Sequence, residues 1–90
     1  MAEVIKTDGI RQEITPREGK RFKLEELQAI VGGFIEIVAL PGRRIMVLNE
    51  EGKLKQLPSN AAATALARGT IAGSDFIVGD VLVCLSKEVS

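Results

Sequence analysis

Turn-forming residues divide this chain into short apolar segments, and that division constrains its fold more than any other feature. Asp8-Gly9 and Pro41-Gly42 each interrupt a run rich in aliphatic residues. Short runs of this kind between turn residues are typical of strands. Because 46% of the residues are hydrophobic but only 3% are aromatic, the core must consist mainly of Val, Ile, Leu and Ala. Such a core favours thin layers of strands covered by small-faced helices.

Two helices are predicted between the strands. Leu24, Leu27 and Val31 recur at helical spacing, and the glycine pair after them ends the helix because glycine accepts the left-handed conformation of a C-terminal cap. A second, alanine-rich helix begins at Ser59 or Asn60 and continues to about residue 67.

The strands define the fold class. We predict a hairpin, then three consecutive antiparallel strands, then a strand bent at Gly79-Asp80 that continues into a central, buried segment. These strands are residues 3–7, 10–14, 34–40, 44–48, 53–57 and 76–85. The chain is thus predicted to be one α+β domain with an antiparallel or mixed sheet of about six strands, in the order ββαβββαβ. Within residues 1–90, residues 1–22 form the hairpin and its loop, residues 23–85 the core and residues 86–90 a tail.

Composition argues against several classes of function. Twelve basic and twelve acidic residues cancel, so no global field attracts nucleic acid or an anionic membrane. A near-neutral surface favours self-association, and we expect a homo-oligomer. Cys84 is the single cysteine and the sequence has no histidine, so we expect neither a metal site nor a cofactor. No signal-peptide pattern or membrane-length apolar segment occurs, which predicts a cytoplasmic protein.

Glu36 interrupts an apolar strand face that it shares with Phe34 and Val38. A buried carboxylate is costly unless it is paired, hydrogen-bonded or open to a pocket. Arg43 or Arg44, across the following turn, is a candidate partner. The alternatives are therefore a structural ion pair at the rim of the sheet and a contact to a ligand, with acid–base catalysis the least favoured role.

Two further groups of polar residues are candidate ligand contacts. Asn49 and Glu50 fit a turn, but they also lie where a ligand beside the carboxylate of the preceding strand would be reached. Ser59, Asn60 and Thr64 surround a predicted helix start, whose free N–H groups and positive dipole end suit a phosphate or carboxylate. A capped helix packed by its alanines explains the same motif without a ligand.

Catalytic templates do not fit this sequence. Without histidine there is no Ser–His or Cys–His pair, and no phosphate-binding glycine motif occurs. The acidic residues match no known cation-binding loop. We therefore predict that the protein is not an enzyme.

The ordered motifs VGGFIEIV, VLNEEGKL, LPSNAAATAL and IVGDVLV resemble a family of short proteins of unknown function found in phages, mobile elements and bacterial genomes. The likeness covers about residues 23–85, and the family pattern maps onto Gly32, Gly33, Glu36, Asn49, Glu50, Gly52, Asn60 and Asp80. Phe34 departs from the pattern, where tyrosine is more usual, and so do Ala61 and Ala62. The resemblance implies no catalysed reaction.

Two functions compete for such a chain. The first is a non-enzymatic binding protein of phage or mobile-element type, an oligomer that sequesters a small anionic or nucleotide-like ligand and counteracts host defence. The alternative is an inhibitor or adaptor that presents its sheet edge or hairpin to a host enzyme, without a small-molecule ligand. Convergence of Glu36, Asn49 and Asn60 on one cavity would favour the first.

Overall fold

The computed structural model describes residues 2–89 and shows one antiparallel sheet of five strands with a helix on each face. Its elements are β1 (Ala2–Ile5), β2 (Arg11–Ile14), α1 (Leu24–Val31), β3 (Ile35–Leu40), β4 (Arg44–Asn49), α2 (Ala61–Ala67), β5 (Val81–Leu85) and a 3-10 helix, Ser86–Glu88. The strand order is β2-β1-β5-β4-β3. The α+β class is confirmed. The prediction of about six strands in the order ββαβββαβ is wrong, because the described chain runs ββαββαβ.

The strand predicted at residues 53–57 is absent because its backbone is hydrogen-bonded locally. The Lys55 N–H donates to the Glu51 carbonyl at 2.9 Å, and the Leu57 N–H donates to the Gly52 carbonyl at 3.0 Å. These bonds close a compact loop, so the donors are not available to a neighbouring strand. Residues 76–78, also predicted as strand, contribute only an isolated bridge.

The central position of β5 follows from its two apolar faces. Leu82 and Cys84 belong to the buried cluster under α1, whereas Val81 and Val83 belong to the cluster under α2. All four are at most 4% exposed. A strand that is apolar on both faces is best buried between two neighbours, so β5 lies beside β4, where we expected residues 53–57. The prediction of a central, two-sided buried strand is confirmed.

Each helix covers one face of the sheet. Leu27 and Val31 of α1 share a buried cluster with odd-numbered residues of β4, and Ala63 of α2 shares the opposite cluster with even-numbered ones. This division follows from the two-residue period of a strand. As predicted, α1 ends at Gly32, which has φ of 81° and donates its N–H to the Gln28 carbonyl at 2.8 Å.

The N-terminal hairpin and residues 86–89 are both held in the fold by backbone hydrogen bonds. β1 and β2 form the predicted hairpin, with φ of 90° at Gly9. The Phe22 N–H donates to the Glu88 carbonyl at 2.6 Å, and Phe22 forms a bridge with Val89. Residues 86–89, expected as a tail, are therefore bound to the loop before α1, while Ser90 lies outside the described residues.

Candidate functional site

A cleft of about 150 Å³ opens between the β3–β4 hairpin, the loop after it and the segment before β5. We call it the acidic cleft, because the carboxylates of Glu36, Glu50 and Asp75 line it together with Lys53. Glu36 shares its strand face with Val38, so its carboxylate lies beside an apolar floor. Pockets for drug-sized ligands measure roughly 300–1,000 Å³. The acidic cleft therefore suits one small group rather than a large ligand.

Lys53 and Asp75 form an ion pair on one wall of the acidic cleft. The Lys53 ammonium also lies 4.8 Å from the centre of the Phe76 ring, a cation–π distance. The hydrogen bond from Lys53 lowers the pKa of Asp75 below its ordinary value of 3.8, and the Phe76 N–H, at 2.8 Å, lowers it further. This wall is therefore charge-neutral at physiological pH.

Glu36 and Glu50 have no such partner. Both are exposed, and neither carboxylate forms an ion pair or hydrogen bond within residues 2–89. With the Lys53–Asp75 pair neutral, these two carboxylates set the charge of the cleft. The site is thus negatively charged and has free hydrogen-bond acceptors.

Asn49 lines the acidic cleft, but its amide holds the fold. It is 4% exposed, its Nδ2 donates to the Val31 carbonyl at 3.1 Å, and its Oδ1 accepts the Glu51 N–H at 2.8 Å. The amide therefore connects the end of α1 to the turn that carries Glu50. Its contribution to the cleft is to position that turn.

The predicted anion site at the start of α2 is occupied by the protein itself. Asn60 is 1% exposed; its Nδ2 donates to the carbonyls of Ile5 and Gly79, both at 2.9 Å, and its Oδ1 accepts the Ala63 N–H at 3.0 Å. This amide caps α2 and ties it to β1 and to the turn before β5.

Thr64 and Ser59 differ in exposure. The Thr64 hydroxyl is buried, donates to the Asn60 carbonyl at 2.8 Å and accepts the Ile77 N–H at 2.9 Å. Ser59 is exposed. None of the three predicted residues at this helix start lines the acidic cleft.

Arg43 and Arg44 lie at the far end of the β3–β4 hairpin from the acidic cleft. Arg44 pairs with Leu40 in the ladder, whereas Glu36 pairs with Leu48. The Arg44 Nε donates to a turn carbonyl at 3.3 Å, and Arg43 is exposed with φ of 60°. Neither arginine forms an ion pair with Glu36 in the described part of the chain.

The sequence prediction missed Lys53, Asp75 and Phe76. Lys53 and Phe76 had been assigned to strands, and Asp75 to no element, whereas all three lie outside the strands and helices of the structure, where no periodicity marks a common face. The only signal was the tendency of aspartate to bind nearby backbone N–H groups, which does not reveal a partner 22 residues away.

A second surface feature is a groove of about 500 Å³ between the loop before α1 and the C-terminal 3-10 helix. We call it the basic groove, because Lys20, Arg21 and Lys87 line it with a single acidic residue, Glu88. Glu88 accepts the Leu85 N–H at 2.8 Å. The three cations form no ion pair among the residues that the structure describes.

Groups with catalytic or metal-binding chemistry are sparse. Burial raises the pKa of the Cys84 thiol to about 11, so the thiol is protonated at neutral pH. Between residues 2 and 89, no group of three acidic, cysteine or histidine side chains is arranged to hold a metal ion.

The fold and its cleft define a small α+β domain with a negatively charged site at one end of a hairpin. The chain belongs to a family described as a domain of unknown function (DUF3846), whose model matches residues 3–89. No curated protein and no solved structure matches it. Among residues 2–89, no helix is long and apolar enough to cross a membrane.

Proposed function

We propose that this protein is a non-enzymatic binding protein whose acidic cleft captures a small ligand bearing an amine or guanidinium group. The observation that carries the proposal is the pair of carboxylates, Glu36 and Glu50, which line a partly enclosed cleft without intramolecular partners. Exposed ion pairs contribute about 0.2–1 kcal/mol each. A cationic group would therefore gain part of its affinity from these two side chains.

Apolar side chains support the same ligand class. Phe76 and Leu54 line the cleft and are 46% and 83% exposed. They offer the aliphatic part of an amine ligand a surface beside the two carboxylates. A short alkyl amine, with an apolar stem and a cationic end, matches this combination.

Titration with agmatine, followed by amide chemical shifts in NMR spectra, tests the proposal. Binding should shift the amides of Glu36, Glu50 and Phe76 first. Glu36→Gln and Glu50→Gln should each weaken binding by up to about fivefold, because each removes a charged but exposed acceptor.

Glu25→Gln is the matched control, since Glu25 is an exposed glutamate on α1 that does not line the cleft. It should bind agmatine as the wild type does. If millimolar agmatine leaves the cleft amides unshifted, or if Glu36→Gln binds as tightly as the wild type, the acidic cleft is not an amine site.

A second candidate function is capture of an anionic or nucleotide-like ligand in the basic groove. Its support is the groove's volume of about 500 Å³ and its three cations, Lys20, Arg21 and Lys87, against one acid. That volume lies within the range of small-molecule pockets, roughly 300–1,000 Å³. With the resemblance to phage and mobile-element proteins, this site supports sequestration of a host nucleotide signal as the biological use.

Calorimetry with ADP-ribose and with cyclic dinucleotides tests the second candidate. Lys20→Ala and Lys87→Ala should weaken any binding, and added salt should weaken it further because exposed charges are screened. Lys55→Ala is the control, as Lys55 is an exposed cation outside the groove. A panel without detectable heat would exclude the nucleotide class.

A further inference from the structure

β3 forms a free edge of the sheet, and its hydrogen-bonding groups alternate in direction. The Glu50 N–H donates to the Phe34 carbonyl at 2.9 Å, in register with the β3–β4 ladder. In an antiparallel ladder, hydrogen-bonded pairs alternate with non-bonded pairs. The backbone groups of Ile35, Ile37 and Ala39 therefore point away from β4, towards the open side.

This edge has little of the usual protection against pairing. Natural edge strands are blunted by shortness, proline, charged side chains or a bulge, but β3 has six residues, IEIVAL, with one charge, Glu36, in an unbroken ladder with β4. Its Ile37 is 49% exposed. The opposite edge, β2, has only four residues, RQEI, and two of them are charged.

We propose that β3 pairs antiparallel with β3 of a second copy of this chain, about a two-fold axis at Ile37. In this register Ile35 of each copy faces Ala39 of the other, and all three residues with outward-facing backbone groups are hydrogen-bonded. Shifting the pairing by one residue would place opposite them residues whose backbone N–H and C=O groups point towards β4 and cannot bond across the interface. The exposed Ile37 side chains then cover each other.

The charges beside β3 favour a second copy of this chain, in antiparallel orientation, as the partner of this edge. Glu36 lies near the beginning of β3, and Arg44 lies beside its end, on the same face. The two-fold axis brings Glu36 of each copy towards Arg44 of the other. It also places the two Glu36 Cα atoms roughly 8 Å apart, and the two arginines offset the repulsion between these carboxylates. Two strand spacings and an offset of two residues separate their Cα atoms by roughly 12 Å, which extended arginine and glutamate side chains bridge. The arginine contact that Glu36 lacks within one chain would thus be made between copies.

The dimer has a consequence for the acidic cleft but does not depend on it. An axis perpendicular to the sheet places both clefts on the same face of one continuous sheet, with an Arg44 from the second copy near each Glu36. In the dimer this arginine engages part of the Glu36 carboxylate, so an amine ligand would rely mainly on Glu50 and on the remaining Glu36 oxygen. The dimer forms whether or not a ligand binds, so a failed ligand titration leaves this inference intact.

Sedimentation equilibrium of the wild type and of two lysine variants tests the interface. Ile37→Lys places two like charges on the axis and should yield monomers, with at least a tenfold weaker dimer. Ile10→Lys is the matched control, because Ile10 is 58% exposed but lies outside β3, and it should remain dimeric. A wild type that stays monomeric at millimolar concentration, or an Ile37→Lys protein that stays dimeric, overturns the proposal.

A charge exchange tests the orientation and separates it from loss of folding. Glu36→Arg alone and Arg44→Glu alone each replace two attractive pairs by repulsive ones, so each should dimerise about tenfold more weakly. An equimolar mixture of the two variants restores attraction at both positions, and heterodimers should form. If the mixture associates no better than either variant alone, the two-fold pairing is wrong. It is also wrong if the wild type stays monomeric and β3 pairs instead with a strand of another protein.

Discussion

Replacing Asn60 by alanine should destabilise the fold far more than replacing its neighbour Ser59. The Asn60 amide makes three hydrogen bonds in the interior, to the carbonyls of Ile5 and Gly79 and from the N–H of Ala63. The side chain therefore holds three parts of the chain together: the end of β1, the turn before β5 and the start of α2. Alanine supplies none of these bonds.

The magnitude follows from those bonds. Loss of a helix N-cap costs about 1 kcal/mol, and each buried acceptor left without its donor costs about 1–3 kcal/mol. Asn60→Ala should thus lower the free energy of unfolding by about 3–7 kcal/mol. A domain of this length has a total of only about 5–13 kcal/mol. The corresponding fall in Tm is roughly 12 °C or more.

Two companion variants separate the contributions. Asn60→Asp keeps the cap but directs a carboxylate at two carbonyl oxygens, so it should be as destabilising as Asn60→Ala. Ser59→Ala changes an exposed side chain and should stay within about 0.5 kcal/mol of the wild type.

Urea denaturation followed by far-UV circular dichroism measures all three variants, since the chain has no Trp or Tyr for fluorescence. The internal role assigned to Asn60 is refuted if Asn60→Ala and Ser59→Ala differ by less than about 0.5 kcal/mol.

Three other predictions concern the loop, the ion pair and the thiol. Gly52→Ala should cost about 1–3 kcal/mol, because its Cβ would lie 2.7 Å from a valine methyl group, while Gly73→Ala, which meets nothing within 4 Å, should be nearly neutral in thermal melts. Lys53→Met should raise the pKa of Asp75 towards 3.8 in an NMR titration. Because the pKa of Asp75 is lower in the folded protein than in the unfolded chain, its ionised carboxylate stabilises the fold at a pH above the unfolded pKa. This stabilisation is lost as the pH falls through the folded pKa. Cys84, with its pKa raised to about 11, should resist Ellman's reagent at pH 8 until urea unfolds the protein.

Local patterns predicted the elements whose residues act on their near neighbours. The turn at Asp8-Gly9, the end of α1 at Gly32 and the start of α2 after Asn60 were all expected from the sequence, and the structure contains each. These features depend on backbone conformation and on hydrogen bonds within a few residues. A linear sequence contains that information directly.

The strand predicted at residues 53–57 shows where local reasoning was insufficient. Its residues are compatible with a strand, but β5 competes for the place beside β4 and buries both of its faces there. Which segment pairs with β4 therefore depends on how much apolar surface each of two distant segments can bury there. The displaced segment then forms the loop that carries Lys53 to the acidic cleft.

The tertiary structure separates the predicted site residues for the same reason. Glu36 and Glu50 share one face of the sheet at neighbouring ladder positions and line one cleft, whereas the Asn49 amide lies on the opposite face, where it is bonded to the end of α1. Asn60, expected beside them, is instead enclosed by β1 and the turn before β5. Its neighbours come from 55 residues earlier and 19 residues later in the chain, so no local pattern predicted that its amide would be used internally.

The sequence by itself determined the α+β class, the short elements and the turns between them, because these follow from the spacing of apolar residues and from glycine, proline and asparagine chemistry. Only the tertiary structure decided which strands are neighbours, which polar side chains are consumed by the fold and which remain free. That decision rests on the burial of the two faces of β5 between β1 and β4. Burial is a property of segments brought together from distant parts of the chain. It leaves Glu36 on an open edge and Asn60 in the interior.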